Sequence, residues 1–149
     1  FIINKRADGL SLGDILKDMP EIVAKTGLVN LPVYIGGPVQ NDRGFVLHTS
    51  DYEKTQNSLS QELPIALTQS ADVLADAAHG RGPEKMRLFL GYAGWGPGQI
   101  ESELQDNAWL VCGANIAEIF TSQTDDLYEK CLATMGIDMA LLSNEGGEA

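Results

Sequence analysis

Apolar positions fall in short blocks whose spacing switches between alternation and a helical repeat, so strands and helices should interleave along the chain. FIINK, residues 1–5, reads as the middle or end of a buried strand. Leu12, Ile15, Leu16 and Met19 then follow helical spacing. Ser11 is the expected N-cap, Asp14 completes a capping box three residues on, and Pro20 stops the run. LPVYIGG (31–37) and RGFVLHT (43–49) read as strands, with Gly36-Gly37-Pro38 and Asn41-Asp42 supplying turn chemistry between them. Residues 57–70 suggest two further short strands broken near Pro64.

Ser70 should cap a helix whose apolar face is Val73, Leu74, Ala77 and Ala78, with Gly80 as its terminator. The strongest strand is KMRLFLGYAGW (85–95), apolar enough to be central. A helix follows with Pro97 at its first position and Glu101 and Glu103 near its N-terminus. AWLVC (108–112) reads as a strand and NIAEIF (115–120) as one or two helical turns. The last helix spans 124–136, capped by Thr124 and ended by Gly136, with Leu127, Tyr128, Cys131, Leu132 and Met135 as its buried stripe. Strands occur both in runs and alternating with helices, which favours α+β over a regular doubly wound fold. A single domain over residues 1–142 and a flexible polar tail over 143–149 are expected.

Size and charge narrow the function. The 149 residues suit one core, and 44% hydrophobic with 21% charged residues is an ordinary globular balance. The net charge of −11 repels polyanions, and the ten Lys and Arg residues form no patch, so direct contact with nucleic acid is not expected. Nothing reads as a signal peptide or membrane span, and two cysteines without CxxC spacing read as free thiols, so a cytoplasmic setting is expected. The opening on FIINK implies a missing N-terminal segment.

Several residues could carry chemistry. Gly91, Gly94, Gly96 and Gly98 lead a strand into a helix, where backbone N–H groups could meet an anion. The loop lacks Gly-Lys-Ser/Thr, and Gln99 stands where a third dinucleotide-binding glycine would fall, so a tight turn is the plainer reading. Arg43 and His48 are acid–base and anion-holding candidates, but strand alternation points them to opposite faces unless Gly44 forms a bulge. A hydrogen-bonded structural histidine is the plainer reading of His48, and the helix dipole accounts for His79. Two distant His and two distant Cys make no ligand cluster, so neither metal nor cofactor is expected. Cys131 should be a buried inert thiol, and Cys112 the more accessible one.

Two blocks, GGPVQNDRGFVLHT and LGYAGWGPGQIESELQDNAWL, closely resemble signatures of the bacterial YqgE/AlgH family. The resemblance extends over essentially the whole chain. It implies a complex α+β fold of sheets with packed helices, further strands on the N-terminal side, and no established catalytic reaction. It also implies a regulatory role, since the AlgH name refers to alginate production and some members carry a transcriptional-regulator label. The leading expectation is a cytoplasmic, non-enzymatic binding or regulatory module acting on an unidentified protein or small molecule. The rival is a ligand-binding protein or enzyme with a polar pocket of Arg43, His48, Gln99 and Glu103. Arg43, His48, Trp95, Gln99 and Glu103 are the candidate ligand or partner site.

Overall fold

Met86–Tyr92 is apolar on both faces because it runs through the interior of a sheet. The computed structural model describes residues 1–22, 26–54, 57–59, 62–121 and 123–138, so the expected tail at 143–149 lies outside the described residues. The fold is α+β. The chain divides into two compact units, Phe1–Gly94 and Trp95–Ala149.

The first unit carries a six-stranded sheet: β1 (Arg6–Ser11), β2 (Pro32–Ile35), β3 (Val39–Thr49), β4 (Asn57–Ser58), β5 (Ile65–Thr68) and β6 (Met86–Tyr92). Their order across the sheet is β1-β2-β6-β3-β5-β4, with β2 parallel to β6 and the other pairs antiparallel. Three helices belong to this unit: α1 (Leu12–Leu16), α2 (Thr26–Val29) and α3 (Asp72–Ala78). Val33, Val46 and Leu88 of the sheet join Leu12, Leu16, Val73, Leu74 and Ala78 in the main core. Tyr34, Phe45 and Phe89 form an aromatic group, with the Phe1 ring stacked 5.0 Å from Phe89.

That contact corrects the reading of FIINK. Residues 1–5 form no strand, and Phe1 and Ile2 are partly exposed. The segment is tied down by isolated bonds instead: Ile2 N–H donates to the Gly36 carbonyl and Ile35 N–H to the Lys5 carbonyl. The capping box of α1 forms as expected between Ser11 and Asp14. Ser70 lies one residue outside α3, whose N-cap is Ala71, yet its hydroxyl still accepts from the Asp72 N–H. Gly80 closes α3 with φ +75, and the Gly80 and Arg81 N–H groups satisfy the Ala77 and Asp76 carbonyls.

Asn41-Asp42 is not a turn but part of β3, whose register slips between Val39 and Gly44 with Gln40 at φ +50. The extra residues are absorbed as a bulge in a continuing strand. The Gly36-Gly37 bend is fixed by close approach. A side chain on Gly36 would strike the Gly91 carbonyl, and one on Gly37 would strike the Tyr92–Ala93 peptide. Both glycines therefore serve a backbone crossing beside the end of β6.

The second unit contains α4 (Gln99–Gln105), α5 (Ile116–Ile119) and α6 (Leu127–Thr134). Gly98, at φ +75, is the N-cap of α4, so Pro97 precedes the helix rather than opening it. Ala108–Cys112 forms no strand. Its apolarity imitates one, but no described segment pairs with it, and Trp109, Leu110 and Val111 are exposed. A second capping box, Asn115 with Glu118, starts α5. At α6 the N-cap is Asp126, not Thr124, whose hydroxyl is buried without a hydrogen-bond partner among the described residues. Leu127 and Leu132 are buried, whereas Tyr128 and Met135 are exposed, so the buried stripe is narrower than the apolar pattern suggests.

Candidate functional site

Gln99 and Glu103 are four residues apart, which brings them to one side of α4, and Trp95 lies in the loop before the helix. The Gln99 amide oxygen accepts from the Gly96 N–H at 3.0 Å, so the glycine loop is tied to the helix start by a side chain. The Gln99 amide nitrogen in turn donates to Glu103 Oε1 at 2.8 Å. Glu103 Oε2 receives both indoles of the chain, Trp109 Nε1–H at 2.6 Å and Trp95 Nε1–H at 3.0 Å. The indole rings meet edge to face, with centroids 5.7 Å apart and planes at 72°.

The bonds from Trp109, Gln99 and Trp95 hold the Glu103 carboxyl below the usual carboxylate range. Glu103 is therefore a poor proton donor at neutral pH and a good anchor. Every polar handle of the two indoles is used inward, while their rings remain open: Trp95 is 39% exposed and Trp109 48%. The chain leaving Trp109 continues this apolar surface with Leu110 at 56% and Val111 at 71%. Val111 and Met135 then line an open depression with Cys112, Asn115 and Thr134. The site as built offers fixed aromatic faces and aliphatic side chains around one ionised carboxylate.

Trp109 was absent from the candidate set. Its signal was present in the sequence, since it follows Glu103 by six residues and is the only other indole. The thiols are also closer than their separation in sequence suggests. Burial, followed by a hydrogen bond with Cys112, pushes the Cys131 thiol up. Both thiols are half-buried, so Cys131 is not the fully enclosed group its helical position implied.

Arg43 and His48 belong to the first unit. The slip in β3 ends before Gly44, so pairing from Gly44 to His48 against β6 is regular. Arg43 is exposed within the irregular stretch. His48 has no exposed surface; Nδ1 lies 2.8 Å from the Thr49 carbonyl, Nε2 lies 2.9 Å from Thr68 Oγ1, and the ring stands edge-on to Tyr52. A carbonyl only accepts, so Nδ1 carries a proton there.

Two buried charged groups in this unit gave no sequence signal. Asp76, on α3, accepts from the Tyr52 hydroxyl and Lys54 ammonium at 2.7 Å each and from Arg81 at 3.3 Å. Lys54 first, then Tyr52, hold its carboxyl down at about 2. Burial, then the bond to Asp76, pushes the Tyr52 phenol up to about 12. Arg87 donates to the Ile3 carbonyl at 2.7 Å and lies 4.2 Å from the centre of the Tyr34 ring.

Among the described residues no helix is long and apolar enough to cross a membrane. The AlgH-like DUF179 family model matches residues 1–140. A UPF0301 protein of Rhizobium rhizogenes is 43% identical over 155 residues, covering 100% of this chain and 76% of that protein. One of Ruegeria pomeroyi is 40% identical over 149 residues, covering 100% and 80%. The solution structure of the AlgH protein of Pseudomonas aeruginosa is similar at a TM-score of 0.73 and 41% identity, covering 99% of this chain and 77% of that one. The crystal structure of a Corynebacterium diphtheriae protein, DIP2367, shares the fold at a TM-score of 0.64 and 20% identity, covering 93% and 70%.

Proposed function

The chain belongs to the AlgH-like UPF0301 family, and from that premise we propose that it is a cytoplasmic, non-enzymatic binding or regulatory module. Its partner is a protein segment with an apolar centre and a basic rim. One observation carries this reading: the only two indoles of the chain are pinned by Glu103 with their rings open. Tryptophans held rigid at a surface lose little freedom on binding and dominate the energy of many protein contacts. Leu110 and Val111 extend the apolar area, and exposed Glu101 and Asp106 with half-buried Glu103 border it with negative charge.

The sign of that border selects the partner. A second copy would bring another net charge of −11 to the surface, whereas a basic segment is attracted to it. The same field argues against direct contact with duplex DNA, so a regulatory role would act through a protein. The rival enzyme reading would need Arg43, His48, Gln99 and Glu103 around one substrate. His48 has no exposed surface and both its ring nitrogens are engaged, which favours the binding reading.

Calorimetric titration with a short tryptophan-free peptide, leucines and isoleucines flanked by lysines and arginines, tests the reading. Binding in roughly the micromolar range that weakens with salt is expected. The same peptide with glutamates in place of the cations, and duplex DNA at physiological salt, should give no binding. Equal binding of the acidic peptide would refute the proposed chemistry.

A further inference from the structure

The first unit holds a cavity that has no part in the surface described above. It measures about 360 Å³ and lies among α1, α3 and the β3–β6 pair. Asp42, Gly44 and Val46 of β3 line it, with Leu88 and Leu90 of β6. These are alternate residues, and Gly44 pairs with Leu90 and Val46 with Leu88, so one sheet face makes the floor. Ile15 and Met19 come from α1 and the turn after it, and Leu74 comes from α3. The volume and the mostly apolar lining suit a small molecule.

Gly44 keeps this floor open. Its φ is not positive, so the backbone there does not require glycine. A Cβ would come 3.3 Å from Leu88 Cδ1, a contact that a small movement of one methyl group relieves. Glycine inside a strand costs conformational entropy and gives up packing. What the position gains is space above the sheet.

The polar lining carries one sign. Among the described residues that line the cavity, Asp18 and Asp42 are the charged ones, Gln69 and Ser70 are neutral, and none is a lysine or arginine. Both carboxylates are on exposed residues, whereas Val46, Leu74 and Leu88 are buried. The arrangement therefore has an apolar floor and an anionic rim. A carboxylate or phosphate ligand would meet repulsion from the rim and from the net charge of −11.

We propose that this cavity binds a small primary amine with a compact apolar body. The body lies over Gly44 against Val46, Leu74, Leu88 and Leu90, and the ammonium sits between Asp18 and Asp42. This site is independent of the partner surface, since it uses different residues in the other compact unit.

Three probes that share one phenethyl body test it on the full chain by amide chemical-shift titration: phenethylamine, phenethyl alcohol and hydrocinnamate. The amine should bind most tightly, the alcohol more weakly and the acid most weakly, with shifts clustered at Gly44, Val46 and Leu74. Each carboxylate should contribute up to about fivefold in affinity. Asp18→Asn with Asp42→Asn should bring the amine down to the alcohol while leaving the alcohol unchanged. Gly44→Val should abolish binding of all three. Should that variant fail to fold, the asparagine pair still decides the matter, because both changes are at exposed positions. Absence of binding by any probe, equal binding of amine and acid, or an amine preference surviving both asparagines would overturn the proposal.

Discussion

Replacing His48 by alanine should destabilise the first unit by about 3 kcal/mol. The imidazole is fully buried, and both nitrogens are engaged. Its loss leaves the buried Thr49 carbonyl without the Nδ1 donor, a desolvation cost of about 1–3 kcal/mol. The Thr68 hydroxyl can rotate to another acceptor, so its loss is smaller, on the order of 0.5–1.5 kcal/mol. The edge-on contact with Tyr52 at 5.6 Å also goes, and the ring leaves a cavity. Thr68→Val breaks only the Nε2 bond and should cost about 1–2 kcal/mol. The double variant should cost less than the sum, by about 1 kcal/mol, because the shared bond is counted twice. Urea unfolding followed by circular dichroism, with hydrogen exchange at Val46 and Leu88 to isolate the first unit, measures all three. If His48→Ala costs under about 0.5 kcal/mol, as an ordinary surface change would, the histidine is not the structural group described here.

Trp95→Ala should cost only about 1–2 kcal/mol, because a ring two-fifths exposed forfeits part of the loss expected for a buried tryptophan; denaturant melts of the second unit check this. Asp76 has its folded-state pKa held near 2 against an ordinary 3.8, so the unfolded chain takes up its proton first as pH falls. Its stabilising contribution is therefore full above roughly pH 5 and is lost towards pH 2. Asp76→Asn should flatten that limb of the melting temperature against pH, and an unchanged acid limb would contradict the assignment. Cys131, with its thiol pushed up by burial and by Cys112, should alkylate more slowly than Cys112 in timed labelling read by peptide mass; the reverse order would show that Cys112 is the shielded group.

Local rules carried the parts of the fold that depend on neighbours in sequence. The Ser11–Asp14 capping box, the terminators Gly80 and Gly136, and the central apolar β6 all follow from residues within a few positions. The errors arose where a tertiary partner decides. Ala108–Cys112 has a strand's composition but lacks a described strand to pair with, and FIINK is apolar because Phe1 lies on Phe89 rather than inside a ladder. Asp76 and Arg87 were invisible because their burial depends on Lys54, Tyr52, Tyr34 and Ile3, which are distant in sequence. At the candidate site, Trp95, Gln99 and Glu103 are legible as members of the block LGYAGWGPGQIESELQDNAWL that carries the family resemblance. The closing contact from Trp109 depends on how the chain turns back after α4.

The central claim is that the Trp95–Trp109 pair is the partner surface, and fluorine NMR of the chain labelled with 5-fluorotryptophan tests it most directly. The protein holds only two tryptophans, so two lines report on this surface alone. On titration with the basic, leucine-rich peptide, both lines should shift and saturate together, at the affinity found by calorimetry. Glu103→Gln should leave the fold intact, bring the two lines closer to the position of a free indole, and weaken the peptide. A peptide that binds by calorimetry while leaving both lines in place would put the partner surface elsewhere and contradict the account.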